Sequence, residues 1–100
     1  MKGVFKKVYK IVLTIPKGKV TTYCEIAKIL SISPQIVGFA LHANKDPNIP
    51  CHRIVNKDGN VAQNYAFGGG LKQREKLVKE GVVFVDQLHI NLKTHLFNFA

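Results

Sequence analysis

Two helix-start signals follow one another closely in TTYCEIAKILSISPQIVGFALHAN, residues 21–44. Thr22 and Glu25 form a capping-box pair, in which each side chain can bond a free backbone amide at the start of a helix. Ser33 followed by Pro34 suits the N-cap and the first position of a second helix. Two short helices joined by so tight a turn indicate a helix-turn-helix, although a plain helical hairpin would produce the same pattern.

The segments around these helices indicate a small α+β domain. Residues 4–15 carry apolar side chains at helical spacing. RIVNKDGNVA, residues 53–62, has Asp58-Gly59 at the position of a turn and predicts a β-hairpin. Residues 82–100 are expected to form one or two short strands or a turn of helix. We therefore predict a mostly helical α+β fold, a winged-helix-like domain with a helix-turn-helix and a small β-hairpin wing.

A further helix is predicted over LKQREKLVKEG, residues 71–81. Gly81 suits its C-terminal cap, because glycine readily adopts the left-handed backbone that ends many helices. The side chains at helical spacing, which we expect to form its packed face, are Leu71, Arg74, Leu77 and Val78.

Length and charge bound the class of protein. A chain of 100 residues is expected to be one domain over residues 1–100. Its formal net charge of +9 favours a polyanionic partner such as nucleic acid, although positive charge can also serve solubility alone. No apolar run approaches the ~18 residues that a membrane span needs, and lysines interrupt the apolar N-terminus. We expect a cytoplasmic, nucleoid-associated or nuclear monomer that does not bind membranes.

The stretch NIPCHRIVNKDG places Cys51 between a proline and a histidine. With only two cysteines and no CxxC pair, the chain is expected to hold no metal. A thiol reacts as its thiolate, so a reactive Cys51 would need a base, and His52 is adjacent. Six acidic residues could orient that imidazole, and their spacing selects none of them. The alternative is an inert core cysteine, the commoner role.

The order of the motifs resembles a known family. IPKGKVTTYCEIAKIL, SPQIVGFALHAN, IPCHRIV and NYAFGGGLKQREKLVKEGVVF look like the C-terminal domain of the O6-alkylguanine-DNA alkyltransferases, the methylated-DNA–protein-cysteine methyltransferases. The resemblance covers residues 4–84, and IPCHRIV matches the family's acceptor-cysteine motif. Family members usually carry an additional N-terminal α/β domain, which we do not expect in a chain of this length.

This resemblance implies DNA repair without a cofactor. The expected partner is double-stranded DNA containing O6-alkylguanine, which the helix-turn-helix would bind in the minor groove. The damaged base would turn out of the stack, at a cost of a few kcal/mol, into a pocket of the protein. A cysteine thiolate would then take the alkyl group, most simply a methyl. Because the thioether is stable, each molecule would act once.

The resemblance also implies a role for each catalytic residue. Cys51 would be the alkyl acceptor, and His52 would take its proton through a water molecule. Glu80 would hold and polarise His52, in the way that an acid orients the base of a catalytic triad. Tyr23 would turn the nucleotide out and donate a hydrogen bond to the purine. Asn44 would pin the turn between the recognition helix and the active-site loop.

Further residues would form the pocket and the DNA-binding surface. The resemblance implies that the backbone carbonyls of Cys51 and Ile54 accept from the guanine amino group. The backbone amide of Ala66 would donate to the guanine oxygen, and Tyr65 would form a wall. The DNA-binding residues that it implies are Tyr23, Ser33, Gln35, Ile36, Gly38 and Lys57.

Three departures from the family concern this binding surface and the tail. Most members have an arginine where Gln35 stands, and glutamine can fill only part of the gap left by an extruded base. Ile36 replaces a usual alanine, whereas Gly38 matches and permits close approach. The tail INLKTHLF, residues 90–97, is closer to the alkyltransferase-like proteins, which bind alkylated DNA without repairing it.

Three functional hypotheses therefore remain at this point. The first is a single-turnover alkyltransferase, and we favour it because the acceptor, base and acid are all present. The second is a non-catalytic module that binds alkylated DNA and flags lesions for another pathway. Such proteins typically have tryptophan at the acceptor position, where this chain has Cys51. The third is a general winged-helix DNA-binding domain with an incidental cysteine.

Overall fold

The computed structural model describes residues 2–99 and is mostly helical. The α-helices and strands, in chain order, are α1 (Lys2–Val12), β1 (Thr21–Thr22), α2 (Tyr23–Leu30), α3 (Pro34–Ala43), β2 (Ile54–Val55), α4 (Gly69–Lys79) and α5 (Leu92–His95). A single 3-10 turn over Cys51–Arg53 leads directly into β2. The expected α+β, mostly helical class is confirmed.

The two consecutive helices predicted from the capping signals are present. The Thr22 hydroxyl accepts from the amide of Glu25 at 3.1 Å, and the Ser33 hydroxyl accepts from the amide of Ile36 at 3.3 Å. Between them Ser31 adopts a left-handed backbone with φ 55°, which ends α2. α2 and α3 meet at 108°, within the range typical of a helix-turn-helix.

Among residues 2–99 no single helix is long and apolar enough to cross a membrane. The pair α2 and α3 meets the length and composition criteria only when both helices are counted together across their bend.

The β-hairpin predicted over residues 53–62 is wrong. β2 instead pairs in parallel with β1, with Thr21 opposite Ile54. The turn at Gly59 does form, with φ +89°, but the chain then runs on so that Asn60 lies opposite His89 in an antiparallel bridge. Because β2 is buried on the parallel strand β1, its partner comes from a distant segment rather than from the turn. A wing made of this hairpin is therefore absent from the described residues.

Two apolar clusters form the core. The larger lies between α1, α2 and α3 and includes Cys51. The smaller lies under α4 and the C-terminal segment, and its buried members are Val20, Val55, Leu77, Val82 and Ile90. The parallel pair β1–β2 joins the two clusters, since Ile54 belongs to the first and Val55 to the second.

The packed face of α4 differs from the predicted one. Leu71 is 63% exposed and Val78 is 47% exposed, whereas Gln73 and Leu77 are fully buried. The prediction is thus confirmed for Leu77 and for the half-buried Arg74, and wrong for Leu71 and Val78. Gln73 joins the packed face because its side chain bonds backbone groups of the 3-10 turn, of β2 and of the segment before α4.

The C-terminal segment closes the smaller cluster, as expected, with a short helix and isolated bridges. Phe84 lies opposite Ile90, and Leu96 pairs with Val20. The buried imidazole of His95 accepts from the amide of Val83 at Nε2 (3.0 Å), and its Nδ1 lies 2.9 Å from the carbonyl oxygen of Gly18. Because Nε2 accepts, the proton sits on Nδ1 and is donated to Gly18.

Candidate active site

Cys51 lies at the floor of a cavity beside the helix-turn-helix. The residue is 4% exposed, its amide bonds to the carbonyl of Ile49 at 2.7 Å, and the bond from the amide of Arg53 to the carbonyl of Pro50 at 3.0 Å begins the 3-10 turn. The cavity has a volume of about 500 Å³, within the size range of small-ligand sites. Its walls come from the start of α2, one side of α3 and the segment 62–66, and the residues are Tyr23, Gln35, Gly38, Phe39, Leu41, His42, Ala43, Cys51, Ala62, Asn64, Tyr65 and Ala66.

The sulfur rests as a neutral thiol. Burial raises the pKa of the Cys51 thiol above its ordinary value, and the charge of Asp46 acts in the same direction. A hydrogen bond from Asn44 and the positive charge of Lys76 lower the pKa but do not outweigh burial. A reaction at this sulfur therefore needs a group that removes the proton.

Asn44 connects the end of α3 to the sulfur. It is the C-cap of α3, and its side-chain Nδ2 lies 3.3 Å from Sγ of Cys51. The same side chain stabilises the following turn through two bonds to Asp46. Its Nδ2 donates to the backbone carbonyl of Asp46 at 2.9 Å, and its Oδ1 accepts from the backbone amide of Asp46 at 3.0 Å. Asn44 thus lies at the turn where the resemblance places it and also contacts the sulfur of Cys51 directly.

His52 and Glu80 are in contact, as the resemblance implies. Nε2 of His52 lies 2.9 Å from Oε2 of Glu80, and both side chains are 13% exposed. Burial lowers the pKa of His52 below its ordinary value, although Glu80 acts to raise it. Burial would raise the pKa of Glu80, but hydrogen bonds from Arg53 and His52 prevail and the pKa lies below its ordinary value.

These two shifts define which nitrogen of His52 carries the proton. A neutral imidazole beside an ionised carboxylate donates from Nε2, so Nδ1 is left as an acceptor with a free lone pair. No other described side chain or backbone group bonds to that nitrogen. His52 is therefore prepared to accept one proton, and Glu80 would stabilise the resulting imidazolium.

Arg53 is a site residue that sequence reasoning missed. Its guanidinium binds Glu80 through two bonds, Nε to Oε1 at 2.9 Å and Nη2 to Oε2 at 2.7 Å. Its Nη1 donates to the carbonyl of Ile15 at 2.6 Å. This paired geometry is among the stronger charge-assisted contacts in proteins, and it balances the charge of the half-buried carboxylate. The signal was present, since an arginine directly follows the histidine of the motif.

Gln73 is the second residue that was missed. Its side chain is fully buried, and Nε2 donates to the carbonyls of His52 (3.0 Å) and Ile54 (2.7 Å). Its Oε1 accepts from the amide of Ala62 at 2.6 Å. One side chain therefore holds the turn that carries the cysteine against the segment that forms the opposite wall of the cavity.

The structure does not bring Ile54 to the cavity. Its side chain is fully buried in the core, its carbonyl accepts from Gln73, and it is absent from the cavity walls. The expectation that this carbonyl accepts from a guanine amino group stays a prediction, since a carbonyl oxygen has two lone pairs and the bond from Gln73 uses one of them.

Two tyrosines, Tyr23 and Tyr65, line the cavity. Burial, and to a lesser degree the charge that Cys51 carries when it ionises, raises the pKa of Tyr23 to about 12, so its hydroxyl remains a hydrogen-bond donor. The hydroxyl of Tyr65 accepts from Nζ of Lys76 at 2.6 Å, and that ammonium also lies 5.0 Å from the Tyr65 ring centre. Ala66 is an exposed residue of the cavity wall.

The residues expected to contact DNA are only partly clustered. Gln35 and Gly38 lie at the cavity edge, and a Cβ added at Gly38 would meet no atom within 4 Å. Ile36 is half-buried, and Ser33 is exposed as the N-cap of α3. Lys57 is exposed in the turn after β2 and takes no part in the cavity walls. Among residues 2–99 no group of three or more His, Cys, Asp or Glu side chains could hold a metal ion.

A buried cysteine next to a histidine–glutamate pair, opening on a cavity beside a helix-turn-helix, defines a DNA-binding domain with a candidate nucleophile. The family described as 6-O-methylguanine DNA methyltransferase, DNA binding domain, matches residues 3–82. The chain belongs to this family, as the resemblance indicated.

Its relatives include both methyltransferases and proteins with other names. A methylated-DNA–protein-cysteine methyltransferase of Methanocaldococcus jannaschii is 47% identical over 77 residues, which cover 72% of this chain and 45% of that protein. The DNA base-flipping protein of Escherichia coli is 33% identical over 99 residues, which cover 94% of this chain and 74% of that protein. The chain thus spans less than half of the methyltransferase but most of the base-flipping protein.

The fold is also similar to that of a solved complex. A crystal structure of S. pombe Atl1 with damaged DNA containing O6-carboxymethylguanine superposes with a TM-score of 0.86 at 30% identity. The match covers 98% of this chain and 97% of that chain. The whole described fold, including the C-terminal segment, is therefore shared with a protein of this family bound to DNA.

Gln73→Met is expected to lower the free energy of unfolding by at least about 2 kcal/mol, since buried backbone groups left without partners cost about 1–3 kcal/mol each. Urea unfolding followed by circular dichroism measures this change. Lys72→Met, at an exposed position of the same helix, is the control and should stay within about 0.5 kcal/mol of the parent. Equal stabilities for the two variants would contradict the structural role of Gln73.

The alkylation rate of Cys51 by iodoacetamide should report a thiol pKa above the ordinary value, because burial disfavours the thiolate. The measurement is the pH profile of the rate in a Cys24→Ser background, where the rate falls as the pH drops below the thiol pKa. Asn44→Ala and Lys76→Met should each move the midpoint further upward, and Lys72→Met should not. A midpoint at or below the ordinary value would contradict this description of the sulfur.

Proposed function

We propose that this protein repairs O6-alkylguanine in DNA by moving the alkyl group to its own Cys51. The observation that carries the proposal is the buried Cys51 thiol on the floor of the cavity, next in the chain to a neutral His52 held by Glu80. A cysteine that served packing alone would need neither the cavity nor the paired acid behind its neighbour.

In the proposed binding step, α3 lies in the minor groove of the duplex and the damaged nucleotide turns into the cavity. Tyr23 stands at the start of α2, where its hydroxyl can donate to a purine nitrogen. Gln35 at the cavity edge would occupy part of the space left in the stack. The backbone amide of Ala66 would donate to O6 of the guanine.

In the proposed chemical step, His52 takes the thiol proton through a water molecule, and the sulfur electron pair forms a bond to the alkyl carbon. The bond from that carbon to O6 breaks, and its electron pair passes into the guanine ring. Guanine gains a proton at N1 from solvent, which balances the one lost from Cys51. The products are intact guanine and an S-alkylcysteine. Because the thioether is stable, each molecule acts once.

Glu80 and Arg53 support this step from behind the imidazole. The charge that appears on His52 when it accepts the proton lies next to a carboxylate already ionised. Arg53 keeps that carboxylate in position through two bonds, so the imidazole does not rotate away when it is protonated. The arrangement lowers the energy of the thiolate–imidazolium pair relative to the resting thiol.

A second candidate function is lesion recognition without transfer. One observation favours it: the match with S. pombe Atl1 extends over nearly the whole of both chains. In that case alkylated DNA would bind in the same cavity, and the thiol would stay unreacted. The two candidates share the fold and differ only in the competence of Cys51.

Mass spectrometry after incubation with an O6-methylguanine duplex separates the two candidates. Transfer predicts a gain of one methyl group on Cys51, at no more than one group per protein, and none in Cys51→Ser. Cys24→Ser is the matched control and should react like the parent, because Cys24 does not line the cavity. Tight binding of the duplex without any gain in mass would contradict transfer and support lesion recognition.

A further inference from the structure

The outer side of α1 carries an uncompensated positive charge. The first 24 residues contain six lysines and no acidic residue, and Glu25 is the first acid in the chain. Lys6, Lys7 and Lys10 are exposed, and we refer to them as the α1 lysine face. Within residues 2–99 no carboxylate lies within ion-pairing distance of any of the three.

Several lysines elsewhere on the surface lie beside acids. Lys28 is 3.8 Å from Glu25, and both Lys72 (3.5 Å) and Lys79 (3.6 Å) approach Glu75. The contrast shows that the chain places acids next to lysines on α2 and α4 but not on α1. The positive charge of α1 is therefore concentrated on one side of the helix, with no acid beside it.

This concentration works against the stability of α1. Like charges four residues apart, as at Lys6 and Lys10, destabilise a helix by about 0.2–0.5 kcal/mol. The first turn of α1 contains no acid to complement the positive end of the helix dipole. A row of anionic groups along this side would reverse the repulsion, whereas water and salt only screen it.

The α1 lysine face is rigidly connected to the helix that would read DNA. The hydroxyl of Tyr9 donates to the carbonyl of Ala40 in α3 at 2.6 Å, and Val8 and Val12 are fully buried beneath α1. Ala40 is not a cavity residue, whereas Gln35 and Gly38 of the same helix are. α1 therefore flanks α3 without entering the cavity.

We propose that the α1 lysine face is a second DNA-contacting surface, which binds backbone phosphates outside the groove that α3 occupies. The proposal rests on the proposed function in so far as duplex DNA is the partner. The phosphates belong either to the flanks of the same duplex or to a second duplex segment, and their chemistry is the same in both cases. Such contacts strengthen binding by releasing counterions and carry no sequence information.

A membrane surface fits the α1 lysine face less well. Helices that lie in a lipid interface bury an apolar face opposite their lysines. In α1 that face is already used, because Val8 and Val12 belong to the protein core. Leu13 is the exposed large apolar residue at the end of this helix, too little to anchor it in lipid.

The test compares two triple variants of equal charge. Lys6→Gln/Lys7→Gln/Lys10→Gln removes the α1 lysine face, and Lys72→Gln/Lys79→Gln/Lys93→Gln removes three exposed lysines elsewhere. Each lowers the formal net charge from +9 to +6. The affinity for O6-methylguanine duplex and for the undamaged duplex is measured by fluorescence anisotropy over a series of salt concentrations.

In the α1 variant the slope of log K against log salt should become less negative by about 2–3, because each phosphate contact contributes about −0.9. The control variant should keep the slope of the parent. The ratio of affinities for damaged and undamaged duplex should stay the same in both. Titration to saturation distinguishes the sources, because flanking phosphates need one duplex per protein and a second segment needs two.

Three outcomes would overturn the proposal while leaving repair intact. The first is an equal slope change in both triple variants, which reflects net charge alone. The second is no slope change in either variant. The third is an unchanged DNA slope with loss of binding to phosphatidylserine vesicles in the α1 variant. Failure of the parent protein to bind the damaged duplex would instead overturn the proposed function and this surface with it.

Discussion

The carboxylate of Glu80 is the group on which the rest of the site depends. It holds His52 on one side and Arg53 on the other, and Arg53 reaches on to the carbonyl of Ile15. The carboxylate thereby connects three parts of the chain, which are the C-terminal cap of α4, the 3-10 turn and the segment after α1. A half-buried carboxylate is tolerable only when it is paired, so losing either partner would leave an uncompensated charge beneath the cysteine.

The side-chain amides of Asn44 and Gln73 also hold the site together. Asn44 ties the end of α3 to the sulfur, and Gln73 ties the cysteine turn to the opposite wall of the cavity. Neither side chain adds a charge near the thiol, so the sulfur stays protonated until a base acts on it. The site thus has a hydrogen-bonded backbone around a neutral sulfur, and this combination supports the proposed transfer to Cys51.

Much of the local structure could be predicted from the sequence, because its signals are short-range. The capping side chains of Thr22 and Ser33 bond the amides that the pattern indicates, and Gly81, with φ 90°, directly follows Glu80, the C-cap of α4. The predicted hairpin failed for the opposite reason. Its turn at Gly59 forms, but strand pairing depends on distant chain segments, and the buried strand β1 takes the place of the local partner.

The candidate site was likewise predictable where its signals are local and not where its contacts join distant parts of the chain. Spacing alone selected no acid for His52, and only the family resemblance pointed to Glu80, which lies far along the chain. Gln73 escaped notice because helical periodicity counts apolar residues, whereas the surface under α4 is partly backbone amide and carbonyl. A glutamine that satisfies three such groups looks in sequence like any solvated side chain.

The most direct test of this description is the protonation state of His52, since the resting site requires a neutral imidazole with its proton on Nε2. Nitrogen-15 NMR of ring-labelled protein near neutral pH separates the two neutral forms and the imidazolium by their chemical shifts. We predict the Nε2-protonated neutral form for His52 and its loss in Glu80→Leu, which offers no acceptor to Nε2–H. An imidazolium, or a neutral ring protonated on Nδ1, would contradict the account.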